Sequence, residues 1–168
     1  MTCHKCGRAL AETRTTTKAP YHYTSSGLAN LYLVGIVMRR CASCRTESPV
    51  IPRMGGLHRT IARVLLDKPE RLTGDELRFL RKFVGLSATD FASQVRIDPA
   101  TLSRFENGKQ DLGESADKLA RAVVMAEVEK EEQKALRHFL LSKQRLLARN
   151  RRITRLRFTN GRWRKDAA

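Results

Sequence analysis

Apolar residues recur at helical spacing between residues 72 and 109 and predict three short helices. Thr73 followed by Glu76 forms a capping box that starts the first of these helices. Ser87 can cap the second helix, and Asp98 can cap the third. The inward-facing apolar positions of the three helices are Leu77, Leu80, Phe83, Val84, Phe91, Ala92, Val95, Leu102 and Phe105.

The second and third predicted helices are separated by only a few residues, so they must cross steeply, as in a helix-turn-helix. The third helix then presents a polar outer face. On that face, the long, flat side chain of Arg104 can hold O6 and N7 of a guanine in a major groove. The alternative is a small helical bundle whose polar face only meets water. The outer positions of the third helix are Ala100, Thr101, Ser103, Arg104 and Asn107.

The run at residues 86–109 resembles the XRE family, the Cro and lambda-repressor type of DNA-binding domain. The resemblance implies an ion pair between Arg81 and Glu106. Two positions depart from the family pattern. Ala88 replaces a DNA-contacting glutamine, and Arg96 replaces the turn glycine, which costs about 1 kcal/mol if its φ is positive. The resemblance places Pro99, Ala100, Thr101 and Arg104 at base edges or nearby phosphates. It implies that Asn107 and Lys109 contact the DNA backbone.

Two CxxC pairs near the N-terminus predict a metal site. Cys3 and Cys6 form the first pair, Cys41 and Cys44 form the second, and the chain has four cysteines in all. Four thiolates on two tight turns suit one structural, tetrahedral Zn²⁺ per chain, and rubredoxin-type iron is the alternative. A catalytic zinc is disfavoured because four protein ligands leave no open position. Short strands at residues 21–23 and 31–38 predict a small sheet around this site.

The order of the motifs suggests a second resemblance. A CxxC pair, the run at residues 21–33, a second CxxC pair, Ile51-Pro52 and a helix-turn-helix follow one another. This arrangement is similar to that of the YgiT-type zinc-finger regulators, the group that includes the MqsA-like antitoxins. The resemblance covers roughly residues 1–125. It implies a zinc domain that contacts a toxin and a helix-turn-helix that represses an operon as a dimer.

The charge of the chain points to a polyanionic partner. The 168 residues carry a formal net charge of +16, and the pI is about 10.6. No apolar run approaches the roughly 20 residues that span a bilayer, and the N-terminus lacks a signal pattern. We therefore expect a cytoplasmic protein whose cysteines are reduced or metal-bound.

The C-terminal region predicts a long helix followed by a basic tail. Apolar helical spacing continues from Ala116 to Leu147, which favours pairing with a second copy, whereas a solvated, frayed helix is the alternative.

Asn160-Gly161 lies between alternating residues and predicts a β-hairpin with Phe158 and Trp163 on one face. A disordered basic tail is the alternative. The opposite face would carry Arg155, Arg157, Arg162 and Arg164, which we expect to contact DNA phosphates.

These patterns together predict a mainly α protein with a small zinc-bound β module. We expect a zinc-binding module at 1–52, a helix-turn-helix domain at 53–125, and a basic helical extension with a possible hairpin at 126–168. The predicted function is a sequence-specific repressor of double-stranded DNA, dimeric on a palindromic operator. An autorepressing antitoxin with a toxin partner is one alternative, and an RNA- or ribosome-associated zinc-ribbon protein is another. No nucleophile–base pair, phosphate loop or acidic dyad is apparent, so an enzyme is not expected.

Overall fold

The computed structural model describes residues 1–128 and 154–165. They form two compact units. The first, here the cysteine unit, comprises residues 1–26, 30–60 and the described residues 154–165. The second, here the helical unit, comprises residues 27–29 and 61–128. Within the described part of the chain, no helix has the length and apolar character that crossing a membrane requires.

The described residues contain helices and strands in comparable number. The helices are α1 (Met54–Asp67), α2 (Gly74–Phe83), α3 (Ala88–Val95), α4 (Pro99–Glu106) and α5 (Glu114–Val128). The strands are β1 (Leu10–Arg14), β2 (Tyr21–His22), β3 (Leu31–Val34), β4 (Val37–Cys41), β5 (Glu47–Val50), β6 (Thr154–Thr159) and β7 (Arg162–Lys165).

The first sheet of the cysteine unit brings the two CxxC pairs together. Its strand order is β1-β4-β5, and both pairings are antiparallel. Leu10 is paired with Cys41, so the start of β1, just after the first CxxC turn, lies beside the end of β4, where the second CxxC turn begins. This register places both CxxC turns at the same end of the sheet.

The second sheet of the cysteine unit joins the two ends of the chain. Its strand order is β2-β3-β6-β7, and β6 lies parallel to β3 with Leu33 in register with Leu156. The side chains of Leu33 and Leu156 are both fully buried. Strands β6 and β7 form the hairpin at the predicted turn. Asn160 and Gly161 have φ values of 49° and 73°, the left-handed conformations that a type I′ turn requires.

The hairpin is fixed to the rest of the cysteine unit by two hydrogen bonds. The Nε1 of Trp163 donates to the Pro52 carbonyl at 3.1 Å, and Nη1 of Arg53 donates to the Gly161 carbonyl at 2.6 Å. The Trp163 ring is buried, and its centroid lies 5.2 Å from that of Phe158, its cross-strand partner. The prediction of a mainly α protein was therefore overstated. It treated residues 126–168 as one extension, whereas strands β6 and β7 complete a sheet with the N-terminal strands.

The helical unit has the predicted caps and most of the predicted core, but Phe83 and Val84 are only half-buried. Thr73 accepts from the Glu76 amide and Glu76 accepts from the Thr73 amide, which completes the capping box of α2. Ser87 caps α3, and Asp98 caps α4, which begins with a proline. The residue that follows α3, Arg96, has φ 56° and ψ 43°, so the side chain in the family's glycine position does occupy the left-handed region. The apolar side chains buried among these helices are Leu77, Leu80, Phe91, Ala92, Val95, Leu102 and Phe105.

A buried ion pair on α5 is hydrogen-bonded to the C-terminal end of α1 and to the residues that follow it. Asp117 is fully buried and Arg121 is 2 % exposed, and Nε of Arg121 donates to Asp117 at 2.9 Å. The guanidinium of Arg121 also donates to four backbone carbonyls at 2.6–3.1 Å, and Asp117 accepts from the Leu72 amide. The pair thus satisfies carbonyls that a helix end leaves open. These four carbonyls belong to Leu65, Leu66, Lys68 and Glu70.

The predicted continuation of the long helix beyond Val128, and the dimer seam that it would form, lie outside the described residues. Helix α5 is described from Glu114 to Val128. The dimer therefore stays a prediction.

Gly74, the first residue of α2, should tolerate no side chain. A Cβ at this position would overlap the Phe105 carbonyl oxygen and approach the Glu106 carbonyl. We expect Gly74→Ala to lower the free energy of unfolding by about 1–3 kcal/mol, the usual cost of overpacking. Chemical denaturation followed by helical circular dichroism measures this loss. Gly113→Ala is the control, because a Cβ there meets no atom. Equal stability of the two variants would contradict the close approach of α2 and α4.

Candidate nucleic-acid interface and metal centre

The helix-turn-helix consists of α3, the turn at residues 96–98, and α4. Both helices start at side-chain caps, and the apolar residues of each face the core of the helical unit. Asp98 accepts from the Ala100 and Thr101 amides at 2.8 and 3.3 Å and so fixes the first turn of α4. The start of α4, which in a helix-turn-helix points at base edges, is thus locally rigid.

The predicted DNA-contacting residues lie on α4 and on the residues that directly follow it, outside the core of the helical unit. Thr101 is half-buried and the others are exposed. The Arg104 guanidinium has no hydrogen bond or ion pair with any side chain in the described part of the chain, so it is available to a ligand. The members of this surface, here the α4 surface, are Pro99, Ala100, Thr101, Ser103, Arg104, Asn107 and Lys109.

Asn107 has a structural role beside the predicted one. Its side-chain amide donates to the Ser103 carbonyl at 2.8 Å, and its Oδ1 accepts from Nη2 of Arg78 at the same distance. Asn107 is also the C-cap residue of α4. The side chain is therefore tied to α2 and α4, which fixes its position at the edge of the α4 surface.

A buried glutamate joins α4 to α2. Glu106 is 7 % exposed, and its two carboxylate oxygens accept from Nε and Nη2 of Arg81 at 2.7 and 2.9 Å. This is the ion pair that the family resemblance implied. Arg78 was missed by the sequence reading, yet it also donates to the Glu106 carboxylate and to its backbone carbonyl at 2.6 Å. The spacing of Arg78 and Arg81 on one helix was the available signal, because residues three apart share a face.

The hairpin arginines lie in the cysteine unit rather than in a separate tail. Arg155 and Arg157 are half-buried, whereas Arg162 and Arg164 are exposed. Arg157 is the direct cross-strand partner of Arg164. The structure thus gathers these four residues on one sheet but does not place them in the same unit as the α4 surface.

The four cysteines form a compact cluster suited to a metal ion. Their sulfurs all lie within 4.8 Å of one another, and none of the four forms a disulfide. The Sγ–Sγ distances are 3.4 Å for Cys3 and Cys44, 3.4 Å for Cys6 and Cys41, and 3.7 Å for Cys6 and Cys44. A tetrahedral Zn²⁺ with Zn–S bonds of about 2.3 Å holds its sulfurs about 3.8 Å apart. The donor set and its spacing therefore fit a tetrathiolate ion.

Three hydrogen-bond donors favour the thiolate form in the second CxxC pair. The Thr46 hydroxyl lies 3.2 Å from Sγ of Cys44 and, with the Thr46 backbone, lowers the pKa of that thiol to about 6. The Cys44 backbone amide lowers the pKa of the Cys41 thiol. A lowered thiol pKa assists metal binding, because the thiolate is the ligand.

Comparison with known families identifies the central domain. A family model described as "Helix-turn-helix domain" matches residues 73–136, less than half of the chain. Neither the comparison with curated proteins nor the comparison with solved structures gave a match. The matched range contains α2, α3, α4 and the described part of α5. The chain thus carries a helix-turn-helix domain, which points to a DNA-binding regulator rather than to an enzyme.

Proposed function

We propose that this protein is a sequence-specific repressor that binds double-stranded DNA through the α4 surface. The observation that carries the proposal is the Arg104 guanidinium, which is exposed on the second helix of a helix-turn-helix and engages no described side chain. An arginine in this position pairs with O6 and N7 of guanine. The N-terminal residues of such a helix meet base edges, and here these are Pro99, Ala100 and Thr101.

The remaining residues of the α4 surface would set the register on the duplex. We infer that Ser103, Asn107 and Lys109 contact sugar or phosphate, which positions the protein without reading sequence. Asn107 supports this role because its side chain is already held by Arg78 and by the Ser103 carbonyl. A dimer on a palindromic operator remains part of the proposal, with half-sites about 34–36 Å apart.

We infer that the cysteine cluster holds one structural Zn²⁺. Cys3, Cys6, Cys41 and Cys44 would supply all four ligands, which leaves no position for a substrate. The ion would then stabilise the cysteine unit. The hairpin residues Arg155, Arg157, Arg162 and Arg164 are proposed as contacts to a phosphate backbone. An antitoxin with a toxin partner and a ribosome-associated protein stay predictions.

Arg104→Ala should relax the sequence preference of the protein. We expect a loss of about 1–3 kcal/mol in binding to the cognate site, because one guanine per half-site loses its bidentate partner. The cognate site is first selected from random-sequence duplexes, and the affinities of site and random DNA are then compared at one salt concentration. A palindromic selected site supports the dimer.

Lys109→Ala provides the contrast for Arg104→Ala. Loss of a phosphate contact should weaken cognate and random duplexes alike and leave the preferred sequence unchanged. If Arg104→Ala behaves in that same way, Arg104 is a phosphate contact, and the base-reading role is wrong.

A further inference from the structure

Arg78 has more hydrogen-bond donors than the helical unit uses. A guanidinium carries five N–H groups in a planar fork. Nη2 of Arg78 donates to the Glu106 carbonyl at 2.6 Å and to Oδ1 of Asn107 at 2.8 Å, and Nε lies 3.4 Å from the Glu106 carboxylate. Nη1 makes no hydrogen bond within the described part of the chain, and its distance of 3.9 Å from the Asp75 carboxylate is too long for one. Because the Arg78 side chain is 33 % exposed, the two N–H groups of Nη1 are open to a ligand.

The charge of Arg78 is not required to neutralise Glu106. Both carboxylate oxygens of Glu106 already accept from Arg81, at 2.7 and 2.9 Å. The remaining nitrogen of Arg81 donates to the Leu86 carbonyl, so that guanidinium is fully engaged inside the helical unit. The Asp75 side chain is 51 % exposed, and an ion pair at the surface contributes little. The positive charge of Arg78 therefore remains available to an external anion.

The contact with Arg78 also fixes the orientation of the Asn107 side-chain amide. Oδ1 of Asn107 accepts from Arg78, while Nδ2 donates to the Ser103 carbonyl at 2.8 Å and lies 3.5 Å from the Ser103 hydroxyl. The amide nitrogen carries two hydrogens, and the Ser103 carbonyl takes one of them. Since the acceptor of the exposed Asn107 amide is turned towards Arg78, a ligand at this side chain meets a donor.

Arg78 changes the electrostatics at the C-terminal end of α4. The last carbonyls of a helix carry a partial negative charge, which repels an anion. Here the carbonyl of Glu106, the last residue of α4, accepts from the Arg78 cation. The C-cap residue, Asn107, adds its amide donor beside it. This end of α4 is therefore suited to an anion such as a phosphate.

We propose that Arg78 and Asn107 form a phosphate clamp, in which Nη1 of Arg78 and Nδ2 of Asn107 donate to one phosphate of the DNA backbone. Arg78 binds the phosphate with its own charge and holds Asn107 in the orientation that donates. The inference rests on the proposed binding of duplex DNA by the α4 surface, to which the clamp adds a cation from α2. Phosphates carry no sequence information, so the clamp strengthens binding to every duplex.

The salt dependence of duplex binding tests the charge contact. The affinity of the full-length, zinc-loaded protein for a random-sequence DNA duplex is measured by fluorescence anisotropy at several salt concentrations. We expect Arg78→Ala to weaken binding about tenfold, through loss of one charge-assisted hydrogen bond. The same variant should flatten the slope by about 0.9 in log K per log salt for each lost contact. Asn107→Ala should weaken binding at an unchanged slope, because the amide is neutral. An unchanged slope in Arg78→Ala would overturn the clamp.

A double-mutant cycle tests whether Arg78 positions Asn107. The variant that carries both Arg78→Ala and Asn107→Ala should bind about as weakly as Arg78→Ala alone, because the amide has already lost the group that orients it. Arg78→Lys retains the charge without the planar fork, so it should keep the full salt slope but lose part of the affinity. If the losses of the two single variants multiply in the double variant, the contacts are independent and the positioning role is wrong.

Lys118→Ala is the matched control for the charge. It removes an exposed cation from α5 in the same unit, so the salt slope should stay unchanged. An equal flattening in Lys118→Ala and Arg78→Ala would show that the slope follows total charge, which would refute the contact. Circular dichroism at 222 nm reports whether each variant is folded. Arg81 retains its pair with Glu106 in all of them, and if Arg78→Ala unfolds, Arg78→Lys replaces it in the cycle.

The phosphate clamp and the proposed function fail in different ways. Because a phosphate contact acts on random duplexes, the clamp can be measured even when no preferred site is selected. A protein without a preferred site, but with a flattened slope in Arg78→Ala, would contradict the sequence-specific repressor and support the clamp. Loss of sequence preference in Arg104→Ala, together with a full slope in Arg78→Ala, would support the repressor and refute the clamp. A protein that binds no duplex would overturn both.

Discussion

Cys41→Ser should unfold the cysteine unit and leave the helical unit folded. The Cys41 side chain is fully buried, and its sulfur lies 3.4 Å from that of Cys6, so its loss opens the centre of the cluster. Binding of a structural zinc contributes about 10–16 kcal/mol to domains of this kind. Among the strands of the first sheet, Cys41 is the one buried residue, so packing in that sheet cannot replace this contribution.

The single tryptophan makes the zinc experiment selective. Trp163 belongs to the cysteine unit, so a shift of its emission to longer wavelength reports unfolding of that unit alone. Circular dichroism at 222 nm reports mainly α1 to α5. Metal analysis should give one zinc per chain for the native protein and little for the variant. Chelation should reproduce the effect of Cys41→Ser.

Ser43→Ala is the matched control for Cys41→Ser. Ser43 lies in the same CxxC turn but is exposed and is not a candidate ligand. The Ser43→Ala variant should retain zinc and the emission wavelength of a buried Trp163. A metal-free Cys41→Ser protein with native Trp163 emission would show that the ion does not hold this unit together.

Arg121→Ala should lower the free energy of unfolding of the helical unit by about 3–5 kcal/mol. Removing one partner of a buried ion pair leaves the other charge uncompensated, here that of Asp117. The change also removes the donors to four carbonyls, two in the last turn of α1 and two just after it. Denaturation followed at 222 nm measures the loss.

The same helix offers a control for the buried pair. Lys118 and Glu114 form an ion pair of the same spacing at 2.7 Å, but their side chains are 44 % and 48 % exposed. Surface pairs contribute little, so Lys118→Ala should leave the stability nearly unchanged. Equal stability of the Arg121→Ala and Lys118→Ala variants would mean that the helical unit does not depend on the buried pair for its stability.

Local signals account for what could be predicted from the sequence. The capping box at Thr73, the cap at Asp98 and the turn at Asn160-Gly161 are each set by residues within a few positions of one another. The cysteine cluster was also predictable, because the chain has four cysteines and one ion takes four thiolates. The α4 surface could be predicted from helical spacing over about two turns of chain.

Contacts between distant segments could not be predicted in this way. Nothing near Leu31 indicates that it will pair with Thr154, since parallel pairing has no connecting turn to mark it. The sequence therefore predicted the hairpin as part of the basic extension at residues 126–168. Arg121 and Asp117 appeared as charges at helical spacing, and their burial depends on carbonyls about fifty residues earlier. The acceptors of Arg78 likewise belong to distant residues, Glu106 and Asn107, although its spacing from Arg81 was a local signal.

Because β6 pairs with β3, the second sheet cannot form until β6 has been synthesised. Leu31 meets Thr154 only after the whole helix-turn-helix domain has been synthesised. The helical unit, in contrast, draws almost all of its described residues from one continuous stretch. Domains fold as units during synthesis, and long-range strand pairing is slow. The helical unit is therefore complete before the cysteine unit, whose first strands precede it in the chain.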